Sequence, residues 1–161
     1  MQLVKEGGHA VRITTRGESG RAAIEATGAE CLIGTPDRLA TLRGALDGVT
    51  IACWMLATAQ GDRAQVKALH GSRLESFLGQ AIDTAMRGFV YESADATAAA
   101  EMHAAGERIV RRIGKRNAIP VAVLRVDIED PEAWQAEAQT AVDGLLGDRN
   151  GSRDALSSTN S

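Results

Sequence analysis

Three histidines, two cysteines, one tyrosine and the acidic stretch IEDPE at 128–132 are the side chains with the most obvious chemical potential. His9, His70 and His103 stand far apart, without Cys-x-x-Cys, His-Glu-x-x-His or clustered carboxylate spacing, so no metal site is expected. Cys31 and Cys53 form no disulfide framework, and each falls in an apolar run where it reads as a small buried hydrophobe. Tyr91 lies inside GFVYE, where an aromatic packs rather than exchanges protons. The carboxylates of IEDPE precede a helical pattern, and the helix dipole favours negative charge there. Arg108, Arg111, Arg112, Lys115 and Arg116 follow helical spacing without interleaved aromatics, the pattern of a solvated face. Gly7-Gly8 follows nothing strand-like and reads as a helix stop rather than a phosphate-cradling turn.

Short runs rich in valine and isoleucine alternate with longer segments of helical period, which is the signature of βαβ units around a parallel sheet. Five strands are predicted, at Ala10 to Thr15, Glu30 to Gly34, Val49 to Leu56, Gly88 to Glu92 and Ile119 to Val126. Several are apolar on successive residues, as strands covered on both faces should be. A short helix follows the first strand and stops at Gly28. Thr35 and Pro36 look like the cap and first position of a second helix that carries Leu39, Leu42 and Leu46 on one face and ends at Gly48. Arg63 to Ala85 is helical in period, with Gly71 and Gly79 both interrupting it, so that it can be two helices. Ala96 to Arg116, ended by Asn117, and Asp130 to Leu146, ended by Gly147, complete the series.

With 161 residues the chain fits one domain that can bury a sizeable core, here assigned to 1–147, followed by a polar tail at 148–161 expected to be disordered. A net charge of -3, from 18 basic and 21 acidic residues, provides no electrostatic footprint for a polyanion, so no nucleic-acid partner is expected. Nor is a membrane partner, since no apolar run approaches the ~20 residues needed to cross a bilayer. MQLVKEGGH is too polar for a signal peptide, and with two cysteines a reducing cytoplasm is the simplest address.

The order of elements and the wording of their junctions resemble the nucleotide-binding half of the atypical short-chain dehydrogenase/reductases, the NAD(P)-dependent epimerase/dehydratase family. GHAVRITTR resembles that family's second strand and following turn, and GAECLIGTPDRLATLRGALDGVT its third strand, helix and entry to the fourth. RGFVYESA resembles the fifth strand, and AAGERIVRRIGKRNAIPVAVLR the helix and sixth strand after the active-site region. The resemblance covers residues 8 to 126 and implies a Rossmann-like, doubly wound α/β fold with helices on both faces of a parallel sheet. It also implies an N-terminally truncated form. Residues 1–8 match only the end of the family's first helix, so the first, central strand and the Gly-rich turn that receives the pyrophosphate are expected to be missing.

The catalytic pattern of the family departs further. Its Tyr-x-x-x-Lys pair falls near Ala99 and His103, where neither chemistry survives. Its auxiliary hydroxyl aligns near Ser93-Ala94, leaving Ser93 as the one catalytic candidate. The resemblance places cofactor contacts at Thr15 and Arg16, at Thr35 with Asp37 nearby, and at Ala57 and Thr58 in the segment ATAQG. Arg16 favours NADP over NAD, because a guanidinium suits the 2'-phosphate where an acidic residue would accept from ribose hydroxyls. The implied function is an NAD(P)-binding oxidoreductase or epimerase-like protein without competent catalysis in this form, acting on an unidentified small molecule. The alternative is a non-catalytic Rossmann-type module for nucleotide sensing or protein interaction, and a homo-oligomer is left open.

Overall fold

A computed structural model describes residues 8–94, 99–125 and 130–157. Among the described residues five strands form, β1 (Arg12–Thr15), β2 (Glu30–Ile33), β3 (Ile51–Trp54), β4 (Gly88–Glu92) and β5 (Val121–Leu124). All ladders are parallel, and they divide into a two-stranded sheet, β1-β2, and a three-stranded sheet, β3-β4-β5. The strands sit inside the predicted runs and are shorter than them; Val126 lies outside the described residues.

Between β1 and β2 a 3-10 turn, Glu18–Gly20, leads into the short helix α1 (Arg21–Glu25). Gly28 follows with φ +85°, the left-handed stop its position predicts. The expected helix after β2 is not one. Thr35 Oγ1 accepts from the amide of Asp37 and Thr35 bridges to Arg38, which closes a tight turn, and only two 3-10 turns, Leu39–Leu42 and Gly44–Leu46, follow. The leucines still face inward, because a 3-10 turn keeps residues three apart on one side. Leu42 and Leu46 are buried in the main core.

The segment after β3 divides in two at Gly71, while Gly79 lies inside a continuous helix: α2 (Arg63–Leu69), whose N-cap Asp62 accepts from Gln65 N at 2.8 Å, is followed by α3 (Ser72–Ala81). α4 (Ala100–Arg116) ends on Asn117, whose Nδ2 donates to Ile113 O, with Ala118 taking the left-handed position at φ +53°. α5 spans Pro131–Ser157, starting at the predicted cap, where Asp130 Oδ1 accepts from Ala133 N, and running past Gly147, where its end was expected.

Helices cover both faces of the larger sheet. On one face Leu74, Phe77 and Leu78 of α3 and Val110 of α4 pack with Ala52, Trp54, Phe89 and Tyr91. On the other, Ala138, Val142 and Leu145 of α5 pack on Val90 and Leu124. β4 is buried along its whole length, as the central member of its sheet with a helix layer on each side. Each fully buried large apolar side chain there contributes about 1.5–3 kcal/mol by leaving water. The smaller sheet joins this body through Arg12, whose Nη1 donates to Ala45 O and Asp47 O, and through an Arg73–Asp37 ion pair at 2.5 Å.

Candidate functional site

Parallel strands bring their carboxyl ends to one edge of a sheet, and in open α/β folds that edge is where ligands bind. The residues that follow those ends here are Arg16 after β1, Thr35 after β2, Ala57 and Thr58 after β3, and Ser93 after β4. Every site residue predicted from the sequence therefore lies on a carboxyl edge, in two groups corresponding to the two sheets.

In the first group, Thr15 ends β1 half-buried and Arg16 points outward, its side chain 67% exposed. Arg16 Nη2 stands 3.4 Å from Asp37 Oδ2. Asp37 is held more firmly by Arg73 from α3 at 2.5 Å, and by the Thr35 hydroxyl at 3.2 Å. Thr35 is therefore a turn residue whose hydroxyl is engaged with Asp37, not a helix cap. The exposed Arg16 pair is worth little in water, so its guanidinium is available to a second anion.

In the second group Ala57 is buried and Thr58 exposed. Their turn is fixed by Glu92, which no sequence motif marks. Glu92 is 6% exposed at the end of β4, accepts from Ala57 N at 2.9 Å through Oε2, and from Trp134 Nε1 at 2.7 Å through Oε1. One carboxylate thus ties the loop after β3 to helix α5. The Glu92–Trp134 link spans a long sequence separation, and no local spacing announces it.

Ser93 is buried, its amide donates to Leu124 O, and its Oγ has no partner. Beside it lies a buried polar cluster. Tyr91 Oη donates to the carbonyl of His103 at 3.2 Å and lies 2.7 Å from His70 Nδ1. His103 Nδ1 sits 2.9 Å from both the amide and the carbonyl of Ala94, and the two imidazole rings are 4.3 Å apart. The outer nitrogens, His70 Nε2 and His103 Nε2, are buried without partners.

Burial, reinforced by the neighbouring His103 ring, pushes His70 down to about 4. Burial also raises the Tyr91 phenol well above its ordinary range, with Glu107 and Glu92 adding to the effect, so it holds its proton at neutral pH. Tyr91 belongs to the core, as its position predicts, but its hydroxyl is satisfied within a histidine pair that scattered sequence positions could not reveal. Gly106 makes this possible: a Cβ there would overlap the Tyr91 hydroxyl.

Cys31 is buried as expected, whereas Cys53, on the β3 edge strand, is exposed. Surrounding atoms nonetheless push its thiol up to about 11. Among the described residues, no group of three or more His, Cys, Asp or Glu is placed to hold a metal ion, and no helix is long and apolar enough to cross a membrane. On the basic face of α4, Arg111 pairs with Glu107 and Arg112 with Glu75, a salt-bridged surface. The concavities beside Asp83, Arg87 and Asn117, and beside Arg43, Gly48 and Thr84, open at the amino edge of the larger sheet, away from these residues.

No protein-family model and no curated protein matches the sequence. Solved structures do match the fold. The triphenylmethane reductase of Citrobacter sp. superposes with a TM-score of 0.59 at 18% identity, over 86% of this chain and 48% of that one. The same reductase complexed with NADP(H) gives 0.55 at 18% identity, over 71% and 39%. A UDP-glucuronic acid 4-epimerase mutant from Bacillus cereus, in complex with a fluorinated UDP-sugar and NAD, gives 0.58 at 12% identity, over 76% and 50%. The chain has the Rossmann-like α/β fold of these reductase and epimerase structures, and it spans half of their length or less.

Proposed function

We propose that this chain is a dinucleotide-binding module of the reductase and epimerase type, which takes the adenosine end of NADP, in preference to NAD, at the carboxyl edge of β1 and β2. The observation that carries this reading is the exposed Arg16 guanidinium at the end of β1, held among the described residues by a single loose ion pair to Asp37. The structural neighbours were solved with NADP(H) and with NAD, which supports a nicotinamide dinucleotide as the ligand class. In this reading Thr15, at the end of β1, and Thr35, after β2, would contact the adenosine end beside Arg16, and Ala57 and Thr58, after β3, would contact the cofactor farther along. Asp37 opposes a phosphate by its charge, and the Arg73 pair that anchors it offsets part of that effect.

We assign no catalysis to this chain. Ala99 and His103 stand where a tyrosine and lysine would be needed, and the His103 ring is committed to Ala94. Ser93 retains a free hydroxyl and is the one candidate for contact with a small-molecule substrate. Two free cysteines suit a reducing compartment such as the cytoplasm.

Titrating the chain with NADPH and NADH before and after Arg16→Ala tests the reading. The wild-type chain is expected to prefer NADPH, and the substitution to remove that preference at a loss of about 1.5–3 kcal/mol, the worth of a charge-assisted bond. An unchanged preference, or none in the wild type, rejects it.

A further inference from the structure

Successive residues of a strand point to opposite faces of its sheet, so Glu92 at the end of β4 shares a side with Val90, and Tyr91 takes the other. Val90 packs with Ala138, Val142 and Leu145 of α5, whereas Tyr91 belongs to the core beneath α3 and α4. The Glu92 carboxylate therefore meets the first turn of α5, where Asp130 caps the helix and Trp134 Nε1 donates to Oε1 at 2.7 Å. Its other oxygen reaches the carboxyl end of the neighbouring strand, where Ala57 N donates to Oε2 at 2.9 Å.

Burying a carboxylate is costly unless its oxygens are hydrogen-bonded, and an apolar side chain would fill the same space without that cost. What an apolar residue could not do is hold the Ala57 amide. Ala57 is buried and Thr58, next in the chain, is exposed, in a turn closed by Ala59 N on Leu56 O at 3.0 Å. Met55, just before the turn, packs against the same apolar cluster as Trp134. The turn is thus held to α5 by shared packing and by one carboxylate. Both partners of that carboxylate donate, so both of its ends must accept, and a glutamine amide would turn an N–H2 group toward one of the two donors.

We propose that Glu92 is a positioning residue: acting through Ala57, it presets the Ala57–Thr58 turn for the dinucleotide and couples occupancy of that turn to Trp134 at the start of α5. The proposal rests on the dinucleotide reading above. In that reading the turn contacts the cofactor away from the 2'-phosphate, so Glu92 governs affinity for NADPH and NADH alike, whereas Arg16 separates them.

The two tryptophans supply the test, by NMR on the full chain, because each indole N–H gives its own signal. Trp134 Nε1 is bonded to Glu92, and Trp54 Nε1 donates to Leu69 O at 3.2 Å in the core, which makes Trp54 an internal control. Titration with NADPH is expected to move the Trp134 signal along the same binding curve as the Arg16 amide and to leave the Trp54 signal in place. Glu92→Gln is expected to weaken NADPH and NADH binding by the same factor, on the order of tenfold, with the preference between them kept. Trp134→Phe keeps an aromatic ring but loses the donor; it should weaken both severalfold, and it serves where the Glu92 variant does not fold. A Trp134 signal that stays still while the Arg16 amide moves overturns the proposal and leaves the dinucleotide reading standing. So does unchanged affinity in folded Glu92→Gln or in Trp134→Phe, or a loss confined to NADPH. If neither the Arg16 amide nor the Trp134 signal responds to NADPH, the dinucleotide reading fails and this proposal fails with it.

Discussion

His70 shows how strongly burial governs a single residue in this chain. Its ring is fully enclosed between Tyr91 and His103, and its folded value of about 4 lies below the ordinary 6.5. A group depressed in this way stabilises the fold while neutral, so its contribution is full above about pH 6.5 and is lost as pH falls toward 4. The loss should reach up to about 3 kcal/mol, from roughly 1.4 kcal/mol per pKa unit. Urea unfolding at pH 7.5 and pH 4.5 should show this drop, and His70→Gln should flatten it; equal pH dependence in both proteins would place the effect elsewhere. Glu92 is the other decisive residue, since it accepts from both Ala57 and Trp134. Glu92→Ala should cost about 1–3 kcal/mol by leaving the buried Ala57 amide and the part-buried Trp134 indole without their acceptor, a loss that thermal unfolding would register. At the level of chemistry, a turnover assay with NADPH and a panel of carbonyl compounds should stay at background. Robust turnover that survives Ser93→Ala, Tyr91→Phe and His103→Gln would contradict the reading of these positions.

Helix α4 must carry a glycine where Tyr91 reaches it, and α3 carries one with no such constraint. Gly106→Ala would place a methyl group against the Tyr91 hydroxyl and should destabilise by about 1–3 kcal/mol, despite alanine's better helix propensity. Gly79 meets nothing within 4 Å, so Gly79→Ala should stabilise by about 0.5–1 kcal/mol. Chemical denaturation of the two variants separates these effects, and equal shifts of the same sign would refute the packing argument. From the sequence Gly106 and Gly79 look alike, because the atom that distinguishes them arrives from β4. Elements marked by local chemistry were legible in the same way that their causes are local. Gly28 and Gly48 adopt positive φ after the turns they end, and Asp130 caps α5. The segment from Thr35 to Gly48 has the sequence pattern of a helix but forms turns, since Thr-Pro opens a turn as readily as a helix. There Thr35 Oγ1 bonds Asp37 N, and an added Cβ at Gly34 would meet Thr41 O at 2.9 Å, so the chain packs in tight turns. Glu92, His70 and His103 were illegible because each acquires its partners through tertiary contacts.

Across the molecule, the larger sheet is sandwiched between two apolar layers, while the smaller sheet has β1 and β2 only partly buried. Local stability follows buried contact, so amides of Phe89–Tyr91 should exchange far more slowly than those of Arg12–Thr15 in the chain alone. Uniform protection across both sheets would show that they unfold as one cooperative unit. The order of strands was foreseeable from alternating apolar runs and from the family resemblance, including the break between β1 and β3. The central claim is that a dinucleotide binds at the carboxyl edge of these strands. Amide chemical-shift mapping by NMR during titration with NADPH tests it most directly. Perturbations are predicted at Thr15, Arg16, Thr35, Ala57, Thr58 and Ser93. Shifts concentrated instead at Asp83, Arg87 and Asn117 on the amino edge, or no shifts at saturating NADPH, would contradict it.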